Sequence, residues 1–249
     1  MVAIKIDGIT KKYKNTVAVN NLSLEINEGE LFSLLGVNGA GKTTTIKILS
    51  CVSKPDTGDA CVFGNSVINS SDKVKALIGV SPQNSAIAPN LTVEENLRFI
   101  AGLFGFVKAE IDEKVNKYAE LLSIKDVLSK KAGVLSGGYQ RRLSIALALI
   151  SEPKVLFLDE PTLGLDVLAR GDLWDIIKSL KGKTTIILTT HYMNEAETLS
   201  DRVGVMKNGR LIACGSTEDI KTIAQTDSFE SAFIKLVKEN WLWGCLNFP

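Results

Sequence analysis

The first part of the chain alternates apolar and polar residues, a pattern typical of strands that bury one face. Residues 2–6 and 22–26 alternate in this way, and the polar stretch 14–21 between them predicts a turn. Residues 31–35 are apolar apart from Ser33 and end at a glycine, which predicts a buried central strand. A helix is predicted after the glycines, over residues 42–49.

From residue 90 onwards the apolar spacing becomes that of helices. Thr92 and Glu95 have the spacing of a capping box at a helix N-terminus. The apolar residues predicted to share one face of that helix are Leu97, Ile100, Leu103 and Phe104. A second helix is predicted over residues 111–122, so the middle of the chain is helical.

The last part of the chain alternates buried strands with helices. Residues 155–158 and 184–189 are predicted to be buried strands separated by a helical stretch, 168–180, which is the strand–helix–strand unit of a parallel sheet. Residues 203–213 contain an Asn-Gly turn between two short runs, which predicts a β-hairpin. Residues 216–238 have the pattern of amphipathic helices.

Composition narrows the function classes. The 249 residues include 29 Lys and Arg, 28 Asp and Glu and one His, giving a net charge of +1. Such a balance provides no long-range attraction for nucleic acid, and a single His excludes a multi-histidine metal site. No apolar run approaches the ~20 residues of a membrane span, and no signal peptide is expected. The four cysteines, expected to be reduced thiols, are Cys51, Cys61, Cys214 and Cys245.

A glycine-rich segment after the predicted buried strand matches the pattern G-x-x-x-x-G-K-T. Glycines let successive backbone N–H groups turn towards phosphate oxygens without side-chain clashes, and the helix N-terminus adds its dipole. In such a loop Lys42 reaches the β- and γ-phosphates, and the Thr43 hydroxyl ligates Mg²⁺. The residues predicted to bind the phosphates are Gly36, Asn38, Gly39, Ala40, Gly41, Lys42, Thr43 and Thr44.

Two carboxylates directly follow the predicted strand 155–158. Ligands bind at the carboxyl ends of parallel strands, so Asp159 is predicted to hold Mg²⁺ through its water shell. Glu160 is predicted to orient or deprotonate the attacking water. An acidic pair at a strand end is common, and the glycine-rich loop upstream is what makes this pair informative.

Residues 135–140 have the sequence Leu-Ser-Gly-Gly-Tyr-Gln and precede an apolar helix. The serine hydroxyl, two glycine N–H groups and a helix N-terminus form a second surface suited to phosphate. With this segment between the other two motifs, the chain resembles the ATP-binding cassette (ABC) ATPases, whose signature is L-S-G-G-x-Q. The resemblance covers about residues 3–225, and segments such as 159–166 and 189–197 resemble the multidrug and antibiotic exporter subgroup.

The resemblance implies roles for further residues. Tyr13 lies where the family stacks an aromatic ring on adenine, Gln83 looks like the glutamine that contacts the metal and attacking water, and His191 looks like the γ-phosphate sensor. The residues implied to face the nucleotide of a second subunit are Ser136, Gly137, Gly138, Gln140 and Asp166.

The resemblance also implies an α/β fold. The expected architecture is a P-loop NTPase (RecA-like) core with an N-terminal antiparallel β subdomain and an inserted α-helical signature subdomain. The ATPase domain is predicted to occupy residues 1–225, with the helical subdomain over about 90–150, and a C-terminal helix and tail over 226–249. The implied cofactors are ATP and Mg²⁺.

Partners follow from the same resemblance. It implies a head-to-tail dimer with a second copy or a homologous ATPase subunit, driving a separate transmembrane permease subunit at the cytoplasmic face of the cell membrane. Nucleic acid is not an expected partner. The apolar residues at 86–91 lie before the predicted helix cap, which suggests a socket for a short helix of that permease. The tail 241–249, with two Trp, is either a packed or frayed terminus or an interface segment.

Three other functions found in the same superfamily are alternatives to an exporter ATPase. An importer subunit differs from an exporter only in the subgroup resemblance. A chromosome-maintenance or repair ATPase would insert coiled coils or zinc modules between loop and signature, whereas about ninety residues without sustained heptads separate Thr43 from Ser136. A ribosome-associated translation factor would carry two cassettes. Exporter ATPase is therefore the favoured hypothesis.

Overall fold

Two β-sheets organise the chain in a computed structural model that describes residues 1–238. In chain order the strands are β1 (Val2–Tyr13), β2 (Thr16–Asn27), β3 (Leu31–Gly36), β4 (Thr57–Val62), β5 (Asn65–Ser66), β6 (Ile78–Ser81), β7 (Val155–Asp159), β8 (Thr185–Thr190), β9 (Arg202–Lys207) and β10 (Arg210–Gly215). The first sheet is antiparallel, in the order β2-β1-β4-β5. The second has the order β10-β9-β3-β8-β7-β6, and its strands are parallel except for the β9–β10 pair.

Nine α-helices connect or cover these strands within residues 1–238. They are α1 (Lys42–Leu49), α2 (Ser71–Lys75), α3 (Val93–Leu103), α4 (Lys108–Leu121), α5 (Gly137–Leu149), α6 (Val167–Leu180), α7 (Met193–Leu199), α8 (Thr217–Ala224) and α9 (Phe229–Lys238). The predicted α/β class and the buried parallel strands are confirmed.

A turn lies within the predicted range 14–21, but it is much shorter than predicted. The turn consists of Lys14 and Asn15, and β1 and β2 pair along most of their length on either side of it. The register shifts repeatedly beyond Ile6, so the alternation that marks a strand in the sequence is interrupted there although the pairing continues.

The parallel sheet is buried on both faces. Leu156, Leu158 and Ile186 face a core built with α3, α4, α5 and α6. Phe157 and Ile187, which alternate with them, face the antiparallel sheet and α1. This arrangement explains why the central strands are mainly apolar on both faces rather than alternating.

The middle section is helical, as predicted, and begins with a capping box. The Thr92 hydroxyl accepts a hydrogen bond from the Glu95 N–H at 3.1 Å, and the Glu95 carboxylate accepts one from the Thr92 N–H at 2.7 Å. The predicted apolar stripe is only half correct. Leu97 is buried, but Leu103 is 69% exposed and Phe104 is 50% exposed, because α3 ends there and extends past the core that α4 covers.

The C-terminal part packs on the edge of the parallel sheet. The predicted hairpin is confirmed as β9 and β10, with Asn208 and Gly209 both at positive φ in the turn. Phe229 and Phe233 of α9 pack with β9, β10 and α8 in a third core. Cys51, Cys61 and Cys214 are free thiols, while Cys245 and the tail 241–249 lie outside the described residues.

In the part of the chain that the structure describes, no helix combines the length and apolar character needed to cross a bilayer.

Candidate active site

The glycine-rich loop lies between the end of β3 and the start of α1, as the sequence predicts. Gly39 and Gly41 have φ values of 81° and 106°, in the region that favours glycine. A Cβ atom on Gly41 would lie 2.4 Å from the carbonyl oxygen of Ala18, and one on Gly36 would lie 2.6 Å from that of Met206. The loop therefore needs glycine both for its backbone conformation and for its packing against β2 and β9.

Lys42 is buried at the base of this loop. Its Nζ donates to the carbonyl oxygen of Gly36 at 2.7 Å and to that of Val37 at 3.3 Å, and it lies 3.2 Å from Oε1 of Glu160. The loop thus orients the ammonium group, and the ion pair connects it to the end of β7.

Both predicted carboxylates are buried at the carboxyl end of β7. Asp159 Oδ1 accepts hydrogen bonds from the Thr43 hydroxyl at 3.0 Å and from the Thr189 hydroxyl at 2.5 Å. Glu160 Oε2 lies 2.6 Å from Nδ1 of His191. Glu160 has a φ of 49°, an uncommon value for a residue other than glycine. The chain bends there, and the Asp159 and Glu160 side chains contact two different sets of partners.

A cleft of about 450 Å³ opens above the loop. It is lined by Thr16, Ala18, Asn38, Gly39, Ala40, Gly41, Lys42, Thr43, Thr44, Gln83 and Glu160. The predicted phosphate-binding residues from 38 to 44 therefore share one surface with Gln83 and Glu160. Thr16 and Ala18 of β2 complete it, and sequence reasoning did not identify either of them.

Tyr13, predicted to stack on adenine, lies beside this cleft rather than in its lining. It ends β1 with its side chain 45% exposed, and its hydroxyl oxygen lies 3.5 Å from that of Ser53. Its role stays a prediction.

The signature segment and Asp166 are not brought to this cleft. Ser136 caps α5 and accepts a hydrogen bond from the Tyr139 N–H, while Asp166 caps α6 and accepts one from the Ala169 N–H at 2.9 Å. The Gln140 amide donates to two carbonyl oxygens of the preceding turn, so this side chain stabilises the turn itself. The single chain therefore carries two separate sets of predicted phosphate-binding residues.

Three buried residues support the site without having been predicted. Thr189 contacts both carboxylate residues, because its hydroxyl also accepts a hydrogen bond from the Glu160 N–H at 3.0 Å. Glu195 accepts hydrogen bonds from Thr162 at 2.8 Å and from Trp174 at 3.1 Å, and burial raises the pKa of its carboxyl group. Arg141 of α5 donates to main-chain carbonyls at the end of β6.

One of these residues, Thr189, could have been predicted from the sequence. Thr189 pairs in register with Asp159 on neighbouring parallel strands, so a polar residue at the end of β8 could have been assigned to the site. The partners of Glu195 and Arg141 are distant in the chain, and no motif indicates them.

The donor atoms fit a magnesium nucleotide. The Thr43 hydroxyl and Asp159 carboxylate provide oxygen ligands, which Mg²⁺ prefers, at the mouth of a loop whose backbone N–H groups suit phosphate. Within residues 1–238 no cluster of three or more His, Cys, Asp or Glu side chains could hold a metal by itself. The arrangement therefore suits an ion bound jointly by the protein and phosphate oxygens.

A glycine-rich loop between a central parallel strand and a helix, with an acidic residue at the end of the next strand but one in the sheet, defines a P-loop nucleotide-binding fold. Comparison with known proteins narrows this class. The family model described as ABC transporter matches residues 19–163, and the chain belongs to this family. The predicted family and fold class are thus confirmed, and the domain is an ATPase of the ATP-binding cassette type.

Curated relatives carry names from drug and lipid transport. The chain is 40% identical over 221 residues to the daunorubicin/doxorubicin resistance ATP-binding protein DrrA of Streptomyces peucetius, covering 88% of this chain and 67% of that protein. It is 38% identical over 242 residues to the probable multidrug ABC transporter ATP-binding protein YbhF of Escherichia coli, covering 95% of this chain and 42% of that protein. The chain therefore spans less than half the length of this second relative.

Solved structures show the same architecture. The ATP-binding subunit of an ABC transporter superimposes with a TM-score of 0.84 at 27% identity, covering 94% of this chain and 99% of that one. The bacterial ABC transporter cassette MJ0796, solved as a dimer, superimposes with a TM-score of 0.78 at 27% identity, covering 86% and 98% of the two chains.

Proposed function

We propose that this chain is the ATP-hydrolysing component of an ABC exporter. The observation that carries the proposal is the Lys42–Glu160–His191 series of contacts beside the Thr43–Asp159 hydrogen bond, all at one end of the parallel sheet. This arrangement combines a phosphate-binding cation, metal ligands and a buried carboxylate in reach of one nucleotide.

Each side chain has a distinct role in hydrolysis. The backbone N–H groups of the loop and the Lys42 ammonium bind the β- and γ-phosphates. Thr43 and Asp159, with Gln83 at the edge of the cleft, would hold Mg²⁺, which supplies positive charge against the phosphate oxygens when it is bound. Glu160 accepts a proton from the attacking water or orients that water, and His191 fixes the Glu160 carboxylate through its Nδ1 contact.

The separation of the two predicted phosphate-binding sets supports a head-to-tail dimer. Ser136 to Gly138, Gln140 and Asp166 lie away from the cleft. Ser136 to Gly138 and Asp166 would therefore contact the nucleotide held by the loop of a second chain, while Gln140 holds the turn before α5 in place for this contact. The relative MJ0796 is described as dimeric, which agrees with this arrangement. Nucleotide bridging two surfaces would stabilise the closed dimer, and hydrolysis would remove the bridge.

The direction of transport and the membrane partner are inferred from relatives. The names of DrrA and YbhF concern drug resistance and multidrug transport, which favours an exporter over an importer. We infer that dimer closure drives a transmembrane permease, and that the ATPase is held at the cytoplasmic face of the membrane through this partner.

The test is the substitution Glu160→Gln, which removes the negative charge at constant volume. We expect turnover to fall by about 10²–10⁴, the usual contribution of a general base, while ATP still binds. An ATP-bound dimer should then accumulate and elute earlier on size-exclusion chromatography. Glu197→Gln, an exposed carboxylate on α7, is the matched control and should behave as wild type. A fully active Glu160→Gln variant that stays monomeric with ATP would contradict the proposal.

A further inference from the structure

A buried arginine of the signature helix is hydrogen-bonded to the segment that carries Gln83. Arg141 lies in the second turn of α5 and is 5% exposed. Its Nη1 donates to the carbonyl oxygen of Pro82 and its Nη2 to that of Gln83, both at 2.6 Å. One turn further along α5, the hydroxyl oxygens of Ser144 and Ser81 lie 2.9 Å apart. Two adjacent polar contacts therefore join α5 to the end of β6.

The partners of Arg141 are unusual for a buried cation. Buried charges are normally paired with an opposite charge, yet within residues 1–238 the Arg141 guanidinium forms no ion pair. Burial lowers the pKa of this guanidinium, and the nearby carboxylates of Asp159 and Glu195 oppose that effect only in part. The planar guanidinium donates to two successive carbonyl oxygens and so fixes the orientation of the main chain, which a lysine ammonium does not do. The residue is therefore better explained by the position it imposes than by the stability it adds.

Arg141 connects two segments that would contact different nucleotides, the Gln83 segment and helix α5. Gln83 lines the cleft above the loop of its own chain. Helix α5 begins at the Ser136 cap, outside that cleft. In the head-to-tail dimer proposed above, on which this inference rests, Ser136 contacts the nucleotide held by the partner. Arg141 consequently lies between the two nucleotide sites of the dimer.

We propose that Arg141 is a positioning residue that couples the two nucleotide sites, by fixing the main chain of Gln83 to the helix that carries the signature of the same chain. A displacement of α5 caused by the partner's nucleotide moves the carbonyl of Gln83, and a displacement of Gln83 moves α5. The coupling needs no additional element, because the guanidinium contacts both ends directly.

Mixed dimers of the full chain with one working site provide the test. One chain carries Lys42→Ala, so its own loop is inactive and it contributes only its signature segment to the working site. The other chain contributes its loop, Gln83 and Glu160. Arg141→Lys is then introduced into either the first or the second chain. We expect both placements to lower kcat by about ten- to a hundredfold, the effect of losing one hydrogen bond to a charged group, with little change in KM for ATP.

Arg142→Lys is the matched control. Arg142 is the next residue of α5, but its half-buried guanidinium pairs with the exposed carboxylate of Asp172 at 2.8 Å and not with the segment that carries Gln83. In either placement this variant should leave kcat within about twofold, because lysine keeps the charge that faces an exposed carboxylate. If thermal unfolding shows that Arg141→Lys does not fold, Ser144→Ala replaces it, and a smaller loss of kcat is expected from both placements.

The possible results separate this inference from the function it rests on. A mixed dimer without any change at Arg141 should hydrolyse ATP, and its inactivity would refute the shared site together with the coupling. An active reference dimer in which Arg141→Lys lowers kcat from only one placement, or from neither, would refute the coupling alone.

Discussion

The Thr189 hydroxyl links the two carboxylate residues of the site, and its removal tests how the site is held in place. It donates to Asp159 at 2.5 Å and accepts from the Glu160 N–H at 3.0 Å, and the residue is fully buried. Thr189→Val removes the hydroxyl and keeps the shape of the side chain. In this variant the Glu160 N–H retains its hydrogen bond to the Thr189 carbonyl oxygen at 3.1 Å. The main effect is therefore that the Asp159 carboxylate loses a hydrogen bond.

The expected magnitude follows from the charge and burial of Asp159. A hydrogen bond to a charged group contributes about 1.5–3 kcal/mol, and Asp159 keeps only its bond to Thr43. For a chain of this size, a loss of about 2 kcal/mol corresponds to a decrease of about 4–8 °C in Tm. If half of that loss also weakens the transition state, kcat falls by about fivefold.

Thermal unfolding and steady-state hydrolysis at saturating Mg-ATP measure the two effects separately. Thr189→Ser keeps the hydroxyl and should retain most of the wild-type activity, which makes it the control. A Thr189→Val variant with wild-type Tm and turnover would refute the assigned hydrogen bonds. A lower Tm with unchanged turnover would show that Thr189 stabilises the fold without positioning Asp159.

Three further outcomes follow from the same structure. Lys42→Ala should abolish most ATP turnover, because the loop loses its only cation for the β- and γ-phosphates, and normal turnover at saturating Mg-ATP would contradict this. Two lysines of α4 lower the pKa of Glu152 to about 2, so the stability this carboxylate adds is present at neutral pH and lost as the pH falls from about 5 towards 2. The difference in Tm between wild type and Glu152→Gln should therefore shrink over that range, whereas a pH-independent difference would exclude the ion pairs. Ile87→Asp should lower both the Tm and the binding of the permease, because Ile87 packs on the helical core. Leu103→Asp should leave the Tm unchanged, because Leu103 is exposed. Equal Tm values for the two variants would contradict this distinction.

Local patterns in the sequence were sufficient for the motifs and the central strands. The glycine-rich loop and the Asp159–Glu160 pair depend on residues adjacent in the chain, so their conformation follows from local chemistry and the ends of buried strands. The same reasoning failed for Leu103, because period and polarity do not show where a neighbouring helix stops covering a face. It also failed at the β1–β2 turn, where register shifts interrupt the alternation.

Residues that act through distant partners were beyond sequence reasoning. Arg141 and Pro82 are 59 positions apart, and Thr162 and Glu195 are 33 apart, so their contacts depend on how α5 and α7 pack against the sheet. Ile87 lies in the segment predicted to form a socket for a permease helix, and the structure shows it half-buried against the helical core, which the sequence did not indicate. In each case the tertiary arrangement, and not the residue type, determines what the side chain does.

The packing of the glycine-rich loop has a genetic consequence. Alanine at position 36 or 41 would place a methyl group against a main-chain oxygen, so such alleles are expected to distort the loop even in the absence of nucleotide. Position 39 has open space around it, so an allele there would be limited by its positive φ alone. Loss-of-function alleles within one short motif should therefore fall into two kinds, those that deplete the protein in the cell and those that leave a full amount of inactive protein.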